Sequence, residues 1–278
     1  MELLKPLTLQ ARCSVWESLA GGLAFQSSLS SKSTLPAHHY IGKPNVMVSH
    51  CWSSPYTQLM AILKRHDENT NKNNFFWIDI FSMNQHDFAD LSGVHPSDGV
   101  QRTASVYDTM LQALTRSIEV PGRMLLALLP HQHPALLSRA WCLYEIYIAW
   151  KVGAEVYCGF VPDAERSVKR SLLEDETLIQ EVLDSVDAEK SQATVQSDRE
   201  MIMDFISAAG VERFNAFVRE QLEASLRMVA VTTLLNVSVG DEVESDPCSP
   251  CSPSSDLTRS QFVHADIAFH SEEEVFST

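Results

Sequence analysis

No stretch of the 278-residue chain reaches the roughly 18 uninterrupted apolar residues of a membrane span, so nothing in it reads as a transmembrane segment. The amino terminus also lacks the succession of basic, apolar and small-residue zones that marks a signal peptide, and the expectation is an intracellular, cytoplasmic protein. Cysteine is sparse: the six residues stand at 13, 51, 142, 158, 248 and 251, without the density of a small disulfide scaffold. Cys248 and Cys251 form a Cys-x-x-Cys in a Ser/Pro tract, with no second pair and no nearby His spacing to complete a zinc site, so no metal is expected. Positive charge is short as well. Against 36 acids there are 21 Lys and Arg, a net charge of -15, and no basic run interrupts the acidic background, which argues against nucleic-acid binding.

What is present is apolar residue at 45%, enough for a real core in one domain with extensions. Residues 1–44 mix short apolar pieces with the serines around 27–33 and end on Gly42-Lys43-Pro44, an amino-terminal extension. From Asn45 the pattern alternates. A short β-prone run, Asn45 to Ser49, leads into His50-Cys51-Trp52-Ser53-Ser54-Pro55 and then a helix, with Ser54 as candidate N-cap and Pro55 in its first position. Phe75 to Phe81 reads as a second buried strand, followed by a polar loop with Asn84 and Gln85 and a helix from about Val100 to Ser117. Met124 to Leu129 is a third strand. A helix capped by Ser138 follows, then a fourth strand from Glu155 to Phe160.

Strands and helices in this alternation predict an α/β fold, a parallel sheet with helices on both faces over residues 45–162, the flavodoxin-like order being a common solution. Residues 163–235 read as a helical extension packed on the sheet edge, with Gly210 closing one helix. The acidic, Pro/Ser-rich residues 236–278 cannot bury enough to order themselves and read as a disordered tail. In such sheets ligands sit beyond the carboxyl ends of the strands, where the loops Ser49 to Ser54, Ser82 to Asp87 and Pro130 to Pro134 would converge.

One stretch stands apart. Between Ala140 and Trp150 the only formally charged side chain is Glu145, so the helix reads as covered on nearly all sides. An unpaired ionised group buried from water costs several kcal/mol in practice, so either a cation answers Glu145 or its side chain opens into a pocket. Trp141 lies four residues earlier and shares that helix face. Asp79 suits a ligand-facing acid or a cap for the loop after it, and Trp77, Trp141 and Trp150 suit the core better than a ligand. His50, His86, His131 and His133 suit solvated loops better than a zinc site, and Cys51 and Cys142 have no legible base to make them nucleophiles.

Trp141-Cys142-Leu143-Tyr144-Glu145 resembles the Trp-Cys-x-x-Glu helix of TIR domains. Val48-Ser49-His50-Cys51-Trp52 and Trp77-Ile78-Asp79-Ile80-Phe81-Ser82-Met83-Asn84-Gln85 are similar to the Leu-Ser-Tyr-Cys-Trp and Trp-Ile-Asp-x-x-Cys-Ile-Asn-Gln signatures of fungal heterokaryon-incompatibility (HET) domains, with His50 and Ser82 in place of the Tyr and Cys. The resemblance covers residues 45 to about 160 and implies a flavodoxin-like signalling domain, working in innate immunity or regulated cell death. It further implies self-assembly into homo-oligomers and NAD or a related dinucleotide as substrate, with no separate cofactor, while the acidic charge and the lack of a long apolar run argue against nucleic-acid and membrane partners. The implied catalytic carboxylate is Glu145. Ser49, His50, Trp52, Asp79, Asn84, Gln85 and Trp141 are then the expected contacts to sugar and nicotinamide, with Arg139 and Arg102 to the pyrophosphate. Two functions stay open: an NAD-cleaving enzyme and a non-catalytic TIR/HET-like scaffold.

Overall fold

A computed structural model describes residues 14, 15, 17, 42–70, 73–83, 104–174 and 177–240. Most of the expected amino-terminal extension and residues 241–278 of the expected tail lie outside the described residues, as do Asn84, Gln85, His86, Arg102 and the Cys248–Cys251 pair.

The strands β1 (Val46–Ser49), β2 (Phe76–Trp77), β3 (Arg123–Ala127) and β4 (Glu155–Gly159) pair in parallel in the order β2-β1-β3-β4. Between β1 and β2 lie helix α1 (Tyr56–Asn69), and after β2 a single turn α2 (Asp79–Ser82) and helix α3 (Ala104–Glu119). A 3-10 turn (Ala135–Ser138) and helix α4 (Ala140–Lys151) connect β3 to β4. This is the flavodoxin-like α/β arrangement. Alternate residues of each strand point to opposite faces. Val46, Val48, Leu125 and Ala127 pack with Leu59, Ile62 and Leu63 of α1, while Met47, Met124 and Leu126 pack with Ile118 of α3 and the core of α4. The approach to α1 is so close at β4 that a Cβ on Gly159 would lie 2.6 Å from Ile62 Cγ2.

Beyond β4 come α5 (Pro162–Glu174), α6 (Thr177–Asp184), α7 (Gln196–Ala209) and α8 (Val211–Gly240). The expectation that they pack on the sheet edge is corrected in part. Tyr144 and Tyr147 of α4 meet Phe205 of α7 edge to face, and Tyr147 and Trp150 meet Phe214 and Phe217 of α8, so α7 and α8 form a further layer on the outer side of α4. The reason lies in α4 itself, which is apolar on both sides and needs cover on each. The described residues up to Val239 accordingly belong to one compact unit. Gly210 ends α7 at φ 87, a left-handed conformation that Gly adopts without a Cβ clash, and lets α8 start immediately.

Several boundaries move. The seven-residue strand expected over Phe75 to Phe81 shrinks to Phe76–Trp77, because Asp79 accepts the Ile80 N–H through Oδ1 at 2.6 Å and turns the chain into α2. Neither Ser54 nor Ser138 caps a helix. Pro55 and Arg139 occupy those positions, and the Ser138 hydroxyl donates back to the Ala135 carbonyl at 2.7 Å. Helix α8 continues through residues 236–240, where no Pro or Gly intervenes before Gly240. No described helix is long and apolar enough to cross a membrane.

Because Phe214 is 2% exposed and Trp150 42%, Phe214→Ala should cost about 3 to 5 kcal/mol in urea denaturation and Trp150→Ala clearly less. Equal losses would contradict the layer of α8 on α4.

Candidate functional site

Strand β1 ends at Ser49, and the connection after it must leave the sheet at its carboxyl edge, beside the last residues of β3. Helix α4 descends past the same edge. The two meet through one hydrogen bond, in which the Ser49 hydroxyl donates to Glu145 Oε2 at 2.5 Å. Ser49 is 1% exposed, whereas Glu145 retains a part of its side chain accessible. Among the described residues no Lys or Arg pairs with Glu145. Burial therefore drives its carboxyl from an ordinary 4.5 to about 8, the Ser49 hydrogen bond working against the rise and the nearby Asp79 charge adding to it.

Glu165 of α5 shows what the fold does with a purely structural acid. It is 7% exposed, and Arg65 Nε and Lys169 Nζ approach its two oxygens at 2.5 and 2.7 Å. Burial would raise this carboxyl, but Lys169 and Arg65 hold it below its ordinary value. Glu145 has no such answer, so of the two sequence alternatives, internal ion pair or pocket, the ion pair is not the one formed among the described residues.

Asp79 fulfils the cap role and one more. While Oδ1 holds the Ile80 N–H, Oδ2 accepts the Trp52 indole N–H at 2.6 Å, and His50 Nε2 stands 3.7 Å from Oδ1. Burial raises the Asp79 carboxyl, and His50, Trp52 and Ile80 pull it back. The indole is thereby tethered by its nitrogen while Trp52 stays 45% exposed. Cys142, one turn before Glu145, donates weakly to the His50 carbonyl at 3.6 Å, and burial with the Glu145 charge pushes its thiol well up, which suits a structural thiol and not a nucleophile.

Ser49, His50, Trp52, Asp79 and Glu145 are thus brought together at the carboxyl ends of β1 and β2. Trp141 shares the helix with Glu145, but its indole N–H goes to Asp198 of α7 at 3.3 Å and its ring packs edge to face on Tyr144. Its recorded contacts are with the helical layer. Arg139 sits immediately before α4. It lines a cleft of about 520 Å³ with Cys51, Trp52, Ser53, Ala135, Ser138, Gln192 and Thr194. Sequence reasoning missed Ser53, Ser138, Gln192 and Thr194. The polar stretch from Ser191 to Ser197 marks a loop between amphipathic helices, but nothing local says where that loop lands. His131 is held below its ordinary value by burial, and among the described residues no group of three or more His, Cys, Asp or Glu is placed to hold a metal ion.

No protein-family model, no curated protein and no solved structure matches this chain.

The raised Glu145 carboxyl has a definite linkage sign. Between 4.5 and about 8 the folded state keeps a proton that the unfolded state has lost, so this stabilisation is full below 4.5 and disappears as pH rises through about 8. Glu145→Gln keeps an oxygen for the Ser49 hydroxyl and carries no charge. From about pH 5 to about pH 9 the variant should gain roughly 2 to 4 kcal/mol relative to wild type in urea denaturation. Parallel stability curves would show that Glu145 titrates normally.

Proposed function

We propose that the chain is a TIR-like signalling domain that cleaves the glycosidic bond of NAD or a related dinucleotide, with Glu145 as the catalytic carboxylate. The observation that carries this reading is a buried carboxyl beside the end of β1, held by Ser49 and answered by no cation among the described residues. Beside it stands a second carboxyl, Asp79, also raised by burial, and a tethered, exposed indole. Such a site is deficient in positive charge. A pyridinium supplies it, attracted by both carboxyls and by the face of Trp52.

The chemistry asks little else of the protein. As the cationic ring enters, its charge favours the ionised form of Glu145, whose proton leaves to solvent. The bond from ribose C1′ to the ring nitrogen breaks with its electron pair going to nicotinamide, which departs neutral and needs no general acid. The oxocarbenium-like centre left on the ribose is stabilised by the Glu145 carboxylate until water adds to C1′ and loses a proton, giving ADP-ribose. Ser49 positions the carboxylate, and Asp79 positions Trp52. The likeness to TIR and HET motifs supports a role in immunity or regulated cell death.

The second reading, a non-catalytic TIR/HET-like scaffold acting by self-assembly, draws on Trp52, Tyr56 and Met60, exposed at 45%, 54% and 40% in successive steps of four. Nicotinamide release from NAD, measured with the protein at high local concentration, separates the two. The enzyme reading expects release that Glu145→Gln lowers by about a hundredfold or more, the scale of losing a key transition-state group. It also expects kcat/KM to rise with pH and level off above about 8, where free Glu145 is ionised. No release from folded, assembled protein would leave the scaffold.

A further inference from the structure

The cleft lined by Trp52 and Arg139 has a composition unlike the rest of the chain. With 36 acids against 21 Lys and Arg in the sequence, its lining among the described residues contains one cation, Arg139, and no acid. Around Arg139 the Thr194 hydroxyl and the second amide hydrogen of Gln192 are left to donate, the first Gln192 amide hydrogen going to the Lys190 carbonyl and the Ser138 hydroxyl to the Ala135 carbonyl. Trp52 supplies an aromatic wall whose nitrogen is already engaged by Asp79, so that its ring face is what it offers. At about 520 Å³ the cleft falls within the range of small-molecule sites. It also lies where β1 and β3 lead to opposite sides of the sheet, the position at which doubly wound sheets bind ligands.

Two of the eight lining residues, Gln192 and Thr194, come from the helical region after β4. Residue Gln192 runs parallel to Arg139 in a single bridge, its N–H donating to the Ser138 carbonyl at 2.8 Å and its carbonyl accepting the Ala140 N–H at 3.0 Å. The Arg139 Nη2 then donates to Thr194 Oγ1 at 2.8 Å. That bond fixes the guanidinium through one nitrogen and leaves its remaining donors for an anion. Glu145 is not part of the lining.

The geometry points to a site for a nucleoside diphosphate group, with Arg139 and the remaining donors on the phosphates and the Gln192 to Thr194 segment as the piece that completes it. This rests on the dinucleotide reading for its place in catalysis: the cleft would hold the half of the substrate that does not react, while the reacting ribose meets Glu145. The helical region after β4 is then part of the ligand site as well as cover for α4.

ADP tests this without any bond to cleave. Calorimetric titration of the full chain should show binding by wild type and by Glu145→Gln, weakened about tenfold or more in Arg139→Ala and, to a lesser degree, in Thr194→Val. Thermal melts of both variants establish that they fold, and Thr194→Val, isosteric and exposed, guards against a collapse of the cleft in the arginine variant. Adenosine should bind more weakly than ADP. Binding of ADP without nicotinamide release would overturn the catalytic reading and leave the cleft standing. Glu145-dependent release, with ADP binding absent, indifferent to Arg139 or matched by adenosine, would overturn the cleft.

Discussion

Everything at the carboxyl edge of the sheet depends on where a single uncompensated carboxyl sits. The hydrogen bond from Ser49 to Glu145 ties the last residue of β1 to the first half of α4, where Ser49 also hydrogen-bonds the Cys142 thiol. In a helix whose neighbours are aliphatic and aromatic, an acid without a cation is a cost that the fold limits by keeping the carboxyl protonated up to about pH 8. Elsewhere the same chain avoids that cost: Glu165 is clamped between Arg65 and Lys169. The contrast between these two glutamates is the strongest physical reason to regard Glu145 as placed for a ligand and not for stability.

The rest of the architecture secures that placement. One face of the sheet packs on α1, the other on α3 and α4, and the aromatic layer from α7 and α8 closes over the outside of α4. Pinned from both sides, α4 has little freedom to move Glu145 relative to β1. Asp79 performs the parallel task at the end of β2. By accepting the Ile80 N–H it ends the strand early, and by accepting the Trp52 N–H it fixes the loop after β1. The strand that is shorter than its apolar sequence suggests is thus shortened by the residue that organises the loop.

Much of this was legible in the sequence because it rests on local pattern. Alternation of short β-prone runs with amphipathic helices gave the parallel sheet, and the isolation of Glu145 in an apolar helix marked the site. What was not legible depends on distant contacts. Serines 54 and 138 look like caps but leave the helix starts to Pro55 and Arg139. Trp141 shares a helix face with Glu145, yet finds Asp198, 57 residues on. The approach of Gln192 and Thr194 to Arg139 has no sequence signal at all, since a polar loop between helices carries no information about the surface it meets.

The central claim, that Glu145 is a carboxyl kept neutral by an unanswered burial, is open to direct titration. Carboxyl carbon NMR of protein labelled in glutamate, with the Glu145 resonance identified by its loss in Glu145→Gln, should give a midpoint near 8 in the free protein. A midpoint near the ordinary 4.5 would mean that solvent or an unseen cation already satisfies the group, and the charge deficit that points to a cationic ligand would not exist.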